Sequence, residues 1–230
     1  MKTITENLKN IQTRIDNAIN KSEDKVQNVT LVAVSKHHSA EEVREAYQTG
    51  QRIFAENRVQ ELIPKIEATS DLQNIEWQLI GHLQKNKARQ VVGKVALIQS
   101  VDSIELMDEI EKRATKEACQ VNILAQVNVA NEQQKHGISF EEIDDFIEHL
   151  EVCPHIVMKG FMFIAPNLEN KNDLKPYFVK LYEKFMDLKS RENAQLIMQY
   201  LSMGMSGDFE FAIAEGANMI RVGSAIFNIN

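Results

Sequence analysis

Eight short apolar runs, each followed by a longer polar-apolar stretch, recur from Thr30 to the end of the chain. They are TLVAVSK (30–36), RIFAEN (52–57), EWQLIG (76–81), VALIQSV (95–101), VNILAQVNV (121–129), IVMKGFMFI (156–164), QLIMQYLSMG (195–204) and NMIRVG (218–223). The runs are near-continuous rather than alternating, as expected of strands buried on both faces. The stretches between them carry apolar residues at helical spacing, such as Val59, Leu62, Ile63 and Ile66, or Leu174, Phe178, Leu181, Phe185 and Leu188. Ser39 with Glu42, Asp102 with Glu105 and Ser139 with Glu142 read as helix starts, and Gly216 as a helix stop. Eight such beats in 230 residues predict an α/β fold, a single closed (β/α)8 barrel of the TIM type. An open doubly wound sheet produces the same local pattern. Strand count favours the barrel, and no GxGxxG follows the first run, which weakens the dinucleotide-binding form of the open sheet.

Ahead of the first beat, Ile4, Leu8, Ile11, Ile15 and Ile19 form an apolar stripe behind a Thr3–Glu6 capping box. This predicts an extra helix over residues 4–20. Its polar face carries both signs of charge without a basic excess, so packing against the domain is expected rather than a membrane surface. The barrel is expected over about 30–227, with residues 1–230 forming one domain and no linker visible. The polar stretch PNLENKND (166–173) reads as a mobile βα loop.

A net charge of -7 argues against a general nucleic-acid surface. The N-terminus lacks the apolar core of a signal peptide, and no stretch is apolar and long enough to span a bilayer. Two cysteines, Cys119 and Cys153, fit no metal spacing and no redox pair. A cytoplasmic protein is expected. No His, Cys or Asp group has a recognisable ligand spacing, and His37 and His38 are adjacent, so no metal is expected.

In a βα barrel, ligands bind where strands end and loops begin. Lys36 ends the first run. A lysine buried there would have a depressed pKa and become nucleophilic enough to form an imine with a carbonyl. A strand-end lysine can equally snorkel into solvent. Ser206–Gly207 precedes a short helix, and Arg221, Gly223 and Ser224 close the last run. Free N–H groups and hydroxyls there suit a phosphate. Plain N-caps and turns explain the same residues. Arg221 is either a fixed donor to a heterocycle or one end of a salt bridge to Glu56 or Glu210. Asn57 either contacts a ligand or caps a helix. His82, with Lys85, Lys87 and Arg89, forms a local basic patch that an exposed helix face explains equally well. Met158, Met162, Met203 and Met205 read as core and pocket filler.

These residues lie in motifs that resemble one family along nearly the whole chain: VAVSK (32–36), FAENRVQE (54–61), EWQLIGHLQKNK (76–87), NVANEQQKHGI (128–138), GFMFIAP (160–166) and LSMGMSGDFEFAIAEGANMIRVGSAIF (201–227). The chain resembles the YggS/PROSC-type pyridoxal phosphate homeostasis proteins, whose barrel is like the N-terminal domain of alanine racemase. The resemblance implies pyridoxal 5'-phosphate held as a Schiff base on Lys36, with Ser206, Gly223 and Ser224 on the phosphate and Arg221 facing the pyridine nitrogen. It further implies Asn57 near the ring and Met203 and Met205 lining the pocket. Where the family usually has Gly-Glu-Asn this chain has Ala55-Glu56-Asn57, and where it usually has Trp-His this chain has Trp77-Gln78. Asn228 stands where the family commonly has glycine, and Ser224 where it often has threonine; serine keeps the hydroxyl.

Function follows as an expectation. The resemblance implies a carrier or regulator in vitamin B6 homeostasis, expected to be a monomer and to serve pyridoxal phosphate enzymes, with no residue assigned a catalytic role. The chain ends about where the barrel ends, so the second domain of alanine racemase and its catalytic tyrosine are expected to be absent. A weak pyridoxal phosphate-dependent racemase, or a barrel for another phosphorylated ligand, are the alternatives.

Overall fold

The computed structural model describes residues 3–132, 134–166, 168 and 170–228. Nine strands follow one another: β1 (Thr30–Val34), β2 (Ile53–Glu56), β3 (Glu76–Leu79), β4 (Leu97–Val101), β5 (Val121–Asn128), β6 (Ile138–Ser139), β7 (Ile156–Met162), β8 (Leu196–Ser202) and β9 (Met219–Val222). Eight of them close in the order β1-β2-β3-β4-β5-β7-β8-β9, with β9 returning to β1 and every pairing parallel. The two-residue β6 adds to β5 outside this ring. The expected closed barrel is therefore present, and the open-sheet alternative is excluded by the β4–β5 and β1–β9 pairings. Strand β6 takes in Ser139, which the sequence suggests starts a helix; two residues are too few to carry a periodic signal.

Helices fill the segments between strands: α1 (Ile4–Ile19), α2 (Ala40–Gln48), α3 (Val59–Ala68), α4 (Ala88–Val91), α5 (Ile104–Glu117), α6 (Ile143–Glu148), α7 (Lys175–Lys189), α8 (Phe209–Ala214) and α9 (Ser224–Phe227). Of the four helix starts read from the sequence as cap pairs, two form as capping boxes, Thr3–Glu6 on α1 and Ser39–Glu42 on α2, whereas Ser139 lies in β6 and α6 follows Glu142 with no side-chain cap. The cap of α5 differs. Ser103, not Asp102, accepts from the Leu106 N–H, which leaves the Asp102 carboxylate for another use. Gly216, at φ +106°, follows α8 as expected. The expected 166–173 loop includes Asn167 and Glu169, which lie outside the described residues.

Two apolar layers result. The larger lies between strands and helices and includes Leu62, Leu106, Phe146, Phe178 and Phe209. Helix α1 belongs to it through Ile4, Leu8, Ile11 and Ile15, and is tied to the C-terminal end by Asn7 Nδ2 donating to Ile226 O at 2.9 Å. The smaller fills the barrel interior with Val32, Ala55, Leu97, Leu124, Met162 and Met219. These alternate along their strands with residues of the outer layer, as the two-residue strand period requires. No helix of the described residues is long and apolar enough to cross a membrane.

Candidate functional site

A cavity of about 450 Å³ opens at the mouth of the barrel, where the strands end. Its lining includes Lys36 and Asn57 from the ends of β1 and β2, Met205, Ser206 and Gly207 from the turn after β8, and Arg221, Gly223 and Ser224 from the end of β9. Of the eight residues singled out in the sequence, seven meet here. Met203 does not: it is fully buried in the layer between strands and helices, because its side chain points away from the barrel axis.

Lys36 is exposed, which is the solvent-facing one of the two readings open to a strand-end lysine. What its surroundings supply is a fixed starting point. Ser35 just before it is fully buried; its N–H donates to Ala55 O at 3.0 Å and its hydroxyl to Glu56 Oε1 at 2.7 Å. Lys65 Nζ reaches over from α3 to donate to Ser35 O at 2.7 Å and to pair with Glu56. His37 after it turns the chain in the left-handed region at φ +68°, uncommon for a residue with a side chain. Lys36 is thus held between a pinned serine and a sharp turn. Neither Glu56 nor Lys65 was singled out as a site residue; the hint available was a glutamate at the end of an otherwise apolar run.

Arg221 is wholly buried. One terminal nitrogen donates to Ser202 O at 2.8 Å and Ser202 Oγ at 2.6 Å, the other to Phe163 O at 2.8 Å. Burial pushes its guanidinium down to about 10, opposed by the charge of Asp208, so it stays protonated at neutral pH. The salt-bridge reading fails: Glu56 pairs with Lys65 and Glu210 with Arg14. The hydrogen bonds continue inward, with Ser202 Oγ donating to Gln99 Oε1 at 2.7 Å and Gln99 Nε2 to Gln78 Oε1 at 2.6 Å. This buried polar floor fixes the orientation of Arg221.

Two turns border the cavity. Ser206 Oγ accepts from the Ala225 N–H at 3.5 Å, which links the turn after β8 to the start of α9. Gly223 lies where a Cβ would meet Val34 O at 2.9 Å, so the close approach of β9 to β1 requires glycine. A Cβ at Gly81 would lie 2.0 Å from Asn57 O, which forces the ends of β2 and β3 together behind Asn57. Asn57 Oδ1 is a buried acceptor with no donor among the described residues. It therefore does not serve as a helix cap, and α3 begins after Arg58 with no side-chain cap.

Comparison with known proteins agrees with this geometry. Residues 4–230 match the family described as alanine racemase, N-terminal domain. A pyridoxal phosphate homeostasis protein of Aquifex aeolicus is 41% identical over 96% of each chain, and one of Haemophilus influenzae is 38% identical over 97% of this chain and 94% of its own. The structure of PipY from Synechococcus elongatus with PLP bound superposes with a TM-score of 0.83 at 34% identity, covering 98% of this chain and all of that one. An alanine racemase from Clostridium difficile shares the fold alone, with a TM-score of 0.66 at 17% identity over 56% of its length. The chain belongs to the pyridoxal phosphate homeostasis protein family, built on the alanine racemase N-terminal domain fold.

Proposed function

We propose that this chain holds pyridoxal 5'-phosphate as a Schiff base on Lys36 and serves as a carrier or regulator of that cofactor. The observation that carries the reading is one cavity that joins an exposed lysine amine, an anion cradle and a buried guanidinium. Its residues fit the group. The volume lies within the range of small-ligand sites. Ser206, Gly207, Gly223 and Ser224 would hold the phosphate through hydroxyls and backbone N–H groups. Asn57 Oδ1 lacks a donor that an aromatic hydroxyl would provide. The PLP-bound relative at 34% identity supports the same ligand.

When bound, the cofactor supplies an aldehyde for an amine and a ring able to withdraw electrons. This chain's residues favour the first over the second. Lys36 Nζ offers the amine at an open mouth, where exchange with solvent is unobstructed. Arg221 can donate a hydrogen bond to a ring nitrogen but, remaining protonated at neutral pH, does not deliver a proton to it. That suits holding and release better than carbanion chemistry. The reading takes the chain as a single domain working as a monomer in the cytoplasm and passing the cofactor to pyridoxal phosphate enzymes.

Borohydride reduction followed by intact mass measurement tests it. A phosphopyridoxyl adduct on the native chain and none on Lys36→Ala is the expected result. No adduct after addition of pyridoxal phosphate would remove the covalent reading and leave a barrel for another phosphorylated ligand.

A further inference from the structure

Three loops on the side of the mouth formed by β3, β4 and β5 bring together side chains far apart in sequence. His82 follows β3, Asp102 directly follows β4, and His136 lies between β5 and β6. Both imidazoles turn Nδ1 toward the same carboxylate oxygen, Asp102 Oδ2, at 2.9 Å from His82 and 3.6 Å from His136. One ligand atom from each residue falls within 4.8 Å of the others. The Asp102 side chain is only 8% exposed, and no lysine or arginine pairs with it among the described residues. A carboxylate largely shielded from solvent, attended by two imidazole nitrogens and paired with no lysine or arginine among the described residues, is a donor set that suits a divalent ion.

The backbone beside each histidine is anchored to the barrel. Ser100 Oγ donates to Gly81 O at 2.6 Å, next to His82, and Gln126 Nε2 donates to His136 O at 2.9 Å. Such supporting bonds orient metal ligands. The two rings stack at 3.9 Å and 11°, so their lone pairs run nearly parallel rather than converging. Coordination needs the rings to part, which their exposure of 41% and 59% permits without disturbing the core. A cavity of about 280 Å³, lined by both histidines and by Gln126 and Asn128, leaves a further coordination position open to water or a small ligand. It shares Ile80, Gly81 and Ile164 with the Lys36 cavity.

We propose that His82, Asp102 and His136 form a binding site for one zinc-class divalent ion, with an open coordination position beside the Lys36 cavity. Two nitrogens and one oxygen favour Zn²⁺ over Mg²⁺ and Ca²⁺, which prefer all-oxygen sets. A second grouping, Asp108, His149 and Cys153, is a weaker candidate. The Cys153 thiol is buried and pushed up to about 11 by that burial and by Glu111 and Asp108, so it is not a thiolate at neutral pH.

Isothermal titration of the full chain with Zn²⁺, in phosphate-free buffer without added cofactor, tests the site, with Mg²⁺ as the comparison. One equivalent of Zn²⁺, at an affinity reduced more than about tenfold by His82→Ala and by His136→Ala and unchanged by His149→Ala, is the expected result. Both site variants alter exposed rings, and unchanged melting temperatures in the absence of metal show that the fold persists. Absence of stoichiometric Zn²⁺ binding overturns the proposal and leaves a hydrogen-bonded His–Asp pair with a stacked neighbour. Binding that survives the double variant, or that is lost on His149→Ala, overturns it as well.

Discussion

Outside the barrel sheet, the strands meet the helices through Leu62, Leu106, Phe146, Phe178 and their neighbours, a layer built of apolar side chains. Inside, six apolar side chains share the space with Gln78, Gln99, Ser202 and Arg221, joined in one hydrogen-bonded row. The same strands supply both surfaces by alternation. Stability is concentrated on the outer surface, where shape and area decide. The inner surface spends part of its volume on fixing one guanidinium. A barrel whose interior is merely filled has no need of a buried cation without an anionic partner, which is costly unless fully hydrogen-bonded.

The sharpest way to break this contrast is at Lys65, whose ion pair with the wholly buried Glu56 adjoins the outer layer. Lys65→Met leaves Glu56 charged, wholly buried and unpaired, and should cost about 3–5 kcal/mol in denaturant unfolding. Adding Glu56→Gln should recover much of that; no recovery would mean that packing rather than charge was lost. Leu62→Ala, on the same helix and wholly buried, should cost about 2–5 kcal/mol with the Lys36 adduct still forming. On the inner surface, Ser202→Ala removes a hydroxyl that both accepts from Arg221 and donates to Gln99. It should cost about 1–3 kcal/mol, yet shift the absorbance of the cofactor-loaded chain, which Leu62→Ala should leave unchanged.

A smaller effect concerns pH. The folded chain holds the Cys153 proton up to about 11, above the ordinary thiol value of 9.0 that applies once unfolded. Folded protein then binds more protons than unfolded protein through that window, so stability falls as pH rises across it. Unfolding midpoints measured between those values should decline less steeply in Cys153→Ala than in the native chain.

Much of this was legible in the sequence because barrel strands announce themselves as apolar runs and their ends mark the mouth. Lys36, Ser206, Arg221, Gly223 and Ser224 all lie at strand ends or in the turns beside them, and the fold brings them to one cavity. What stayed hidden depended on direction or on distance through space. Met203 and Met205 are two residues apart near one strand end, yet the first is locked in the outer layer while the second lines the cavity. Lys36 reads as either buried or solvent-facing from its strand-end position, because a sequence does not show that the barrel leaves its mouth open. Asp102 reads as a helix cap until the fold presents His82 to it. His82, Asp102 and His136 lie on three separate loops, so no spacing rule brings them together.

The row from Arg221 to Gln78 runs one way: at each link the group nearer Arg221 donates and the next accepts. Gln78 ends the row with an amide, where histidine is the titratable alternative. An imidazole at that end would give the row a proton that comes and goes within the physiological range. An amide does not titrate, so the polarity of the row, and the electrostatic field it projects toward the ligand cavity, should remain constant across the pH values at which Gln78→His would make it vary.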